Sequence, residues 1–267
     1  MALIVITSAN GSPGVTTAAL GLALSWTRPV ILVDADPTAA MSIPAGYLQG
    51  ADIPTNRSTV DLALANREGR LADELPQQLL DLPGTEVRFL VGPARHSQAR
   101  MLTSLWAPLV DAFRSMPGQD VIVDAGRLGL DNHPTPLLAA ADVCLLAVRA
   151  TLPAAIAAHS WALTVKDTFE AQGAADVFGL LVIDEPGKTY PADVVADALD
   201  VPVRATLPWD PTTARLLSHG ETAPDLTWWR RWRRTIAPDL NKGLLAAGEA
   251  IRTQLTTTHP ITEDQPA

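Results

Sequence analysis

LIVITSANGSPGVTTAALGLALS, residues 3–25, joins a short apolar run to a small-residue turn and then to a helical stretch. The run LIVIT (3–7) has the Val, Ile and Leu content of a strand buried on both faces. A strand, a tight turn and a helix together have the geometry of a phosphate cradle. Gly11 and Gly14 permit close backbone approach. The amides of residues 11–17, among them Ser12, Pro13 and Val15, then surround an anion at the positive end of the helix dipole, proline lacking its own N–H. Thr16 stands where a hydroxyl would ligate Mg²⁺, and Thr17 starts the helix. The alternative is a tight turn whose glycines serve packing alone, because Gly-x-x-Gly by itself is unspecific.

Five further apolar runs repeat the pattern: VILVD (30–34), VRFLV (87–91), VIVDA (121–125), VCLLAV (143–148) and FGLLVID (178–184). None alternates cleanly in twos, as expected of a parallel sheet covered on both faces. Helical stretches lie between and after them at 15–26, 59–66, 71–82, 98–115, 153–172 and 191–199, with an amphipathic stretch at 239–255. The spacing predicts βαβ units, hence an α/β fold with a mostly parallel sheet flanked by helices. No repeat or long linker interrupts it, so residues 1–255 are expected to form one domain. Residues 256–267, polar and broken by prolines, are expected to form a disordered tail.

Three carboxylates fall at strand ends: Asp34 at the end of the second run, Asp36 just after it, and Asp124 in the fourth. The C-terminal edge of adjacent parallel strands is where an open α/β sheet binds ligands. One such aspartate could cap a loop. Three beside a threonine-bearing glycine turn fit a metal–phosphate site better.

On these residues the chain resembles the MinD/ParA group of deviant Walker P-loop ATPases, with the TadZ-like branch included. The family turn reads K-G-G-x-G-K-T-T, and the matching residues are Asn10-Gly11-Ser12-Pro13-Gly14-Val15-Thr16-Thr17. Asp34 and Asp36 match the family D-x-D, and Asp124 matches its Walker B aspartate. AADVCLLAVRATLPAAIAA (140–158) and LPWDPTTARLLSHGE (207–221) resemble later family segments, so the likeness spans residues 1–221 in order. It implies a P-loop three-layer sandwich, with ATP and Mg²⁺ as ligands. It further implies Thr16 as Mg²⁺ ligand, Asp124 as the carboxylate that supports the metal from behind, and Asp36 as the carboxylate orienting the attacking water. A homodimer is implied as well. Adenine is the base the resemblance implies, although Asp184 stands where the family often has asparagine. An aspartate there either pairs with guanine donors or caps the loop.

Both family lysines are absent, replaced by Asn10 and Val15. In the family these cations reach the phosphates in cis and across the dimer. An arginine finger, for scale, is worth about 10³–10⁵ in turnover. Binding through backbone amides survives the loss; fast hydrolysis does not. Arg127, after the Walker B strand, is the candidate compensating cation, whereas Arg95 and Arg149 read as surface or salt-bridging arginines. The expected function is a nucleotide-binding positioning or assembly factor with weak or absent hydrolysis. The alternatives are a pseudo-ATPase scaffold of a pilus- or secretion-type complex, and a chromosome or plasmid partitioning ATPase.

Composition narrows the rest. The chain has 267 residues, 47% of them hydrophobic, and a net charge of −9, which argues against nucleic-acid binding over the whole surface. Its 20 basic residues include only three lysines, Lys166, Lys188 and Lys242, none in the turn. The one cysteine, Cys144, excludes an internal disulfide and a thiolate cluster, and the five histidines lack metal-ligand spacing. Neither a Gly-x-Gly-x-x-Gly turn nor a Gly-x-Ser-x-Gly elbow occurs, against dinucleotide oxidoreductase and serine hydrolase chemistry. With no signal peptide or spanning run, a cytoplasmic protein is expected, with a peripheral membrane location as the second option. LTWWRRWRRTI (226–236) keeps that second location open. As a helix it groups Trp228, Trp229 and Trp232 apart from Arg230, Arg231, Arg233 and Arg234, which suits a membrane surface, non-specific DNA, or packing on the sheet with arginines outward.

Overall fold

The computed structural model describes residues 1–10, 12–50, 53–54, 56–187, 189–219 and 239–258. The strands are β1 (Leu3–Ser8), β2 (Val30–Asp34), β3 (Leu80–Asp81), β4 (Val87–Leu90), β5 (Asp120–Arg127), β6 (Val143–Arg149), β7 (Phe178–Asp184) and β8 (Val203–Pro208). They form one eight-stranded sheet in the order β3-β4-β2-β5-β1-β6-β7-β8. Every pairing is parallel except β3 with β4. The parallel sheet expected from the apolar runs is therefore present, with β1 at its centre.

Successive residues of β1 feed opposite layers. Leu3 and Val5 join one core with Trp106, Phe113 and Phe169; Ile4 and Ile6 join the other with Leu20, Leu22 and Leu244. The second layer is built mainly by α1 (Val15–Ser25), α10 (Pro211–Ser218) and α11 (Asp239–Thr258), with the short α2 (Ser42–Ala45) at its edge. Opposite them lie α3 (Thr59–Arg67), α4 (Leu71–Gln78), α5 (Ala99–Leu102), α6 (Trp106–Arg114), α7 (Thr135–Ala139), α8 (Leu152–Ala171) and α9 (Ala192–Leu199). This is a three-layer sandwich. α1 and α11 pack closely enough that a Cβ on Gly21 would meet Leu244 Cδ1 at 2.6 Å.

Two buried carboxylates fix the start of β1. The Ala2 amide donates to Asp120 Oδ1 (2.9 Å) and the Leu3 amide to Asp142 Oδ2 (2.7 Å). Trp26 Nε1 donates to the other oxygen of Asp120 (2.9 Å), and Arg114 grips Asp142 with two nitrogens (2.7 and 2.8 Å). Each carboxylate is thus partnered on both oxygens, which is what makes its burial tolerable.

Several boundaries differ from the sequence expectation. The single helix expected over 98–115 is two, α5 and α6, separated at Thr103–Leu105. Pro108 explains the break: it has no N–H, and its ring would strike the carbonyl four residues earlier. The helix expected over 71–82 stops at Gln78, and Leu80–Asp81 turns back to pair antiparallel with β4. β8 is an added strand; Arg204 and Thr206 interrupt its apolar residues because it lies at the sheet edge with one face partly exposed. α11 runs through Thr258, into the stretch assigned to a tail. Gly11 and the Trp/Arg segment at 226–236 lie outside the described residues.

Candidate phosphate and metal site

The turn between β1 and α1 places a helix N-terminus at the C-terminal edge of the sheet. Gly14 is the N-cap with φ +100°, a conformation open to glycine, and no side chain among the described residues caps the first amides of α1. Ser12 is also left-handed, at φ +46°. The family has glycine there, and the observed backbone gives the reason. The uncapped amides of Val15, Thr16 and Thr17 are donors in search of an anion.

Asp124, within β5, lies beside this turn because β5 pairs with β1 and β2. Its Oδ1 accepts the Gly126 amide (3.0 Å), and the Thr16 side chain hydrogen-bonds to it. Asp36 is held over the same edge: its Oδ1 accepts the Thr38 amide (2.9 Å), and its own amide donates to Asp34 Oδ1 (3.2 Å). Gly126 permits this approach, since at φ +64° a Cβ would fall 2.6 Å from Asp36 Oδ1. Asp34 is different. It is buried and lines neither cavity described below, so its position is that of a loop-bracing carboxylate.

Electrostatics mark this edge as cation-seeking. Burial, reinforced by Asp124 and Asp36, pushes Asp34 well above the ordinary carboxylate range. Burial likewise raises Asp124 to about 6, against the opposing pull of the Thr16 hydrogen bond. His133 lies 3.5 Å from the Thr7 hydroxyl, and burial lowers it to about 4 although Asp36 pulls the other way. The imidazole is therefore neutral at pH 7 and supplies no compensating charge. Among the described residues no group of three or more His, Cys, Asp or Glu is arranged to hold a metal ion. Thr16 and Asp124 supply the kind of oxygen donors that would hold Mg²⁺ in another way, since that ion is commonly bound through few protein oxygens.

The turn separates two adjoining cavities that share Ser12, Gly14, Thr17, Ser218 and His219. One, about 650 Å³, is lined by Val15, Thr16, Asp36, Asp124 and Arg127. The other, about 230 Å³, is lined by Pro13, Arg149, Trp209, Pro211 and Arg215. Every turn residue expected at the site, apart from Gly11, therefore lines one cavity or both. Val15 is 8% exposed and packs into the α1 core layer, while Asn10 is exposed. Arg127 is exposed at the larger cavity. Arg149 does form the salt bridge expected of it, with Glu185 at 3.5 Å, but it also reaches Ser12. Trp209 and His219 are not among the residues the sequence points to individually; only the resemblance of 207–221 marks their segment.

A parallel sheet with a glycine-bearing turn at its central strand, a threonine–aspartate pair and flanking carboxylates has the architecture of a P-loop fold. The chain has the MinD/ParA-like form of that fold. MinD in complex with Mg-ADP from Pyrococcus horikoshii superposes with a TM-score of 0.70 at 15% identity, over 97% of this chain and 98% of that one. A ParA family ATPase from Chlorobium tepidum gives 0.68 at 14% identity, over 93% and 99%. A single-residue variant of Cyanothece McdA in complex with ATP gives 0.64 at 17% identity, over 94% and 96%. No protein-family model and no curated protein matches the sequence.

Proposed function

We propose that this protein binds a nucleotide with Mg²⁺ at the β1–α1 turn and works as a positioning or assembly factor with weak or absent ATP hydrolysis. One observation carries the reading. The turn keeps the groups that bind, namely the uncapped α1 amides and the Thr16–Asp124 pair, and lacks the lysines that accelerate. Backbone amides bind phosphate whatever the side chains are. Transition-state charge needs fixed cations, and two missing ones cost several powers of ten in rate. In this reading Ser12, Pro13, Gly14, Val15, Thr16 and Thr17, with Gly11, form the phosphate turn. Thr16 and Asp124 would hold Mg²⁺, which would neutralise phosphate charge, and Asp36 would orient an attacking water. The structural neighbours named MinD, ParA and McdA support the positioning role.

Isothermal titration with ATP and ADP, with and without Mg²⁺, tests the binding. Micromolar affinity that rises with Mg²⁺ is expected; no binding to either nucleotide overturns the reading in favour of a non-catalytic scaffold. Val15→Lys should raise ATP turnover at least tenfold, and an unchanged rate in a folded, nucleotide-binding variant refutes the account of lost hydrolysis. A homodimer, if formed, uses contacts other than a trans lysine, because position 10 is asparagine. Among the described residues no helix is long and apolar enough to cross a membrane. Liposome flotation and DNA co-sedimentation, each with Trp228, Trp229 and Trp232 changed to Ala, decide between membrane, DNA and core roles for the 226–236 segment.

A further inference from the structure

Arg149 ends β6, the neighbour of β1 on the side away from Asp124. With Ala147 opposite Ser8, the strand register carries Arg149 past the end of β1 and alongside the turn. Its guanidinium is fixed from three directions. Nη1 faces Glu185 Oε2 at 3.5 Å, Cζ sits 4.9 Å from the centre of the Trp209 ring, and Nη2 reaches the Ser12 carbonyl at 3.5 Å. Stacking on an aromatic face is a placement that suits arginine and stiffens it. The remaining nitrogen, Nε of Arg149, is buried and has no hydrogen-bond partner among the described residues. A buried donor left unmatched is costly, and a charged one more so.

The other arginines at the two cavities differ. Arg127 and Arg215 are exposed and form no ion pair among the described residues. Neither is held against the turn, so each would lose side-chain freedom on gripping an anion. Arg149 has already given up that freedom. We propose that Arg149 is the cation that receives the phosphate chain of the bound nucleotide, supplied from β6 in place of the lysines absent at positions 10 and 15. It is a binding residue, with Trp209 and Glu185 as its positioning residues. The inference rests on the nucleotide reading above and adds to it the residue that recognises the phosphates.

The test separates phosphate recognition from a mere wall of the pocket. Titrations compare ADP and GDP with adenosine and guanosine, using wild type, Arg149→Ala and Arg149→Gln, each checked for folding by thermal melting. Losing hydrogen bonds to a charged group predicts a roughly 10- to 100-fold weaker diphosphate affinity in both variants, with nucleoside affinity changed less than about threefold. Diphosphate binding by wild type should also weaken with added salt, and less steeply in the variants. If the variants bind diphosphate as tightly as wild type, or lose nucleoside and diphosphate equally, the inference fails while the nucleotide reading stands. If wild type binds none of the four, both fail. Should Arg149→Ala not fold, Arg149→Gln, which keeps a polar side chain of closer length, decides alone.

Discussion

Replacing Asp124 with asparagine should make the ligand-free protein more stable at neutral pH. The carboxylate is 1% exposed and lies near Asp34 and Asp36, so its negative charge is a burden in the absence of a cation. Asparagine keeps the acceptor for the Gly126 amide and a polar group for Thr16. Raising Asp124 from its ordinary 3.8 to about 6 corresponds to about 3 kcal/mol lost on ionisation in the folded state. The sign follows from proton binding. A carboxyl that holds its proton more tightly when folded contributes stability below about pH 3.8, and that stability is lost as pH rises through about 6. Asp124→Asn should therefore gain up to about 3 kcal/mol at pH 7.5, or roughly 6–12 °C in melting temperature for a chain of this size. The gain should shrink towards zero as pH approaches 4. His133 works in the opposite direction, since its depressed value removes stability as pH falls from 6.5 towards about 4. The difference between variant and wild type is accordingly the quantity to follow, by urea denaturation with EDTA present. Destabilisation at pH 7.5, or a gain independent of pH, refutes the electrostatic account. A variant that gains stability yet keeps the full wild-type response to Mg²⁺-ADP refutes the assignment of Asp124 to the metal.

Further predictions concern the turn and the layer beneath it. Ser12→Gly relieves a left-handed serine but loosens the unfolded chain, leaving a net gain of about 0.5 kcal/mol by denaturant titration; a loss would show that the serine side chain is itself used. Gly126→Ala should cost about 2–3 kcal/mol, combining an unfavourable φ with displacement of Asp36, and it should weaken Mg²⁺-nucleotide binding. Leu244→Ala should cost about 2–5 kcal/mol, because Leu244 is fully buried against Gly21; a change below about 1 kcal/mol would mean that α11 is only loosely attached.

The central sheet is legible in the sequence because its strands are covered on both faces, and continuous Val, Ile and Leu runs have few other uses. The same filter hides β8, where edge exposure lets Arg204 and Thr206 into the strand, and β3, which is only two residues long. Pro108 is visible in the sequence, yet its effect depends on where the helix starts, which a window over 98–115 does not resolve. At the site, Asp36, Asp124 and Thr16 can be paired from strand ends and turn spacing alone. Asp34 cannot be told apart from them, since only the side-chain direction separates a ligand-facing carboxylate from one turned into the loop. Arg149 reads in the sequence like any other strand-end arginine. Its contact with Ser12 depends on the β1–β6 register, and its stack on Trp209 joins segments sixty residues apart, neither of which periodicity can supply.

The clamp on the first strand has a mechanical consequence. β1 is a strut seated at its foot by Asp120 and Asp142, with the phosphate turn at its head. Sliding by a single residue would exchange Leu3 and Val5 with Ile4 and Ile6 between the two layers and break both carboxylate anchors. The strut therefore does not yield along its length, and a load placed on its head passes sideways. The strands that take it are β5, which carries Asp124, and β6, which carries Arg149. An anion seated in the turn would therefore bear on both walls of the crevice at once, the Asp124 strand on one side and the Arg149 strand on the other.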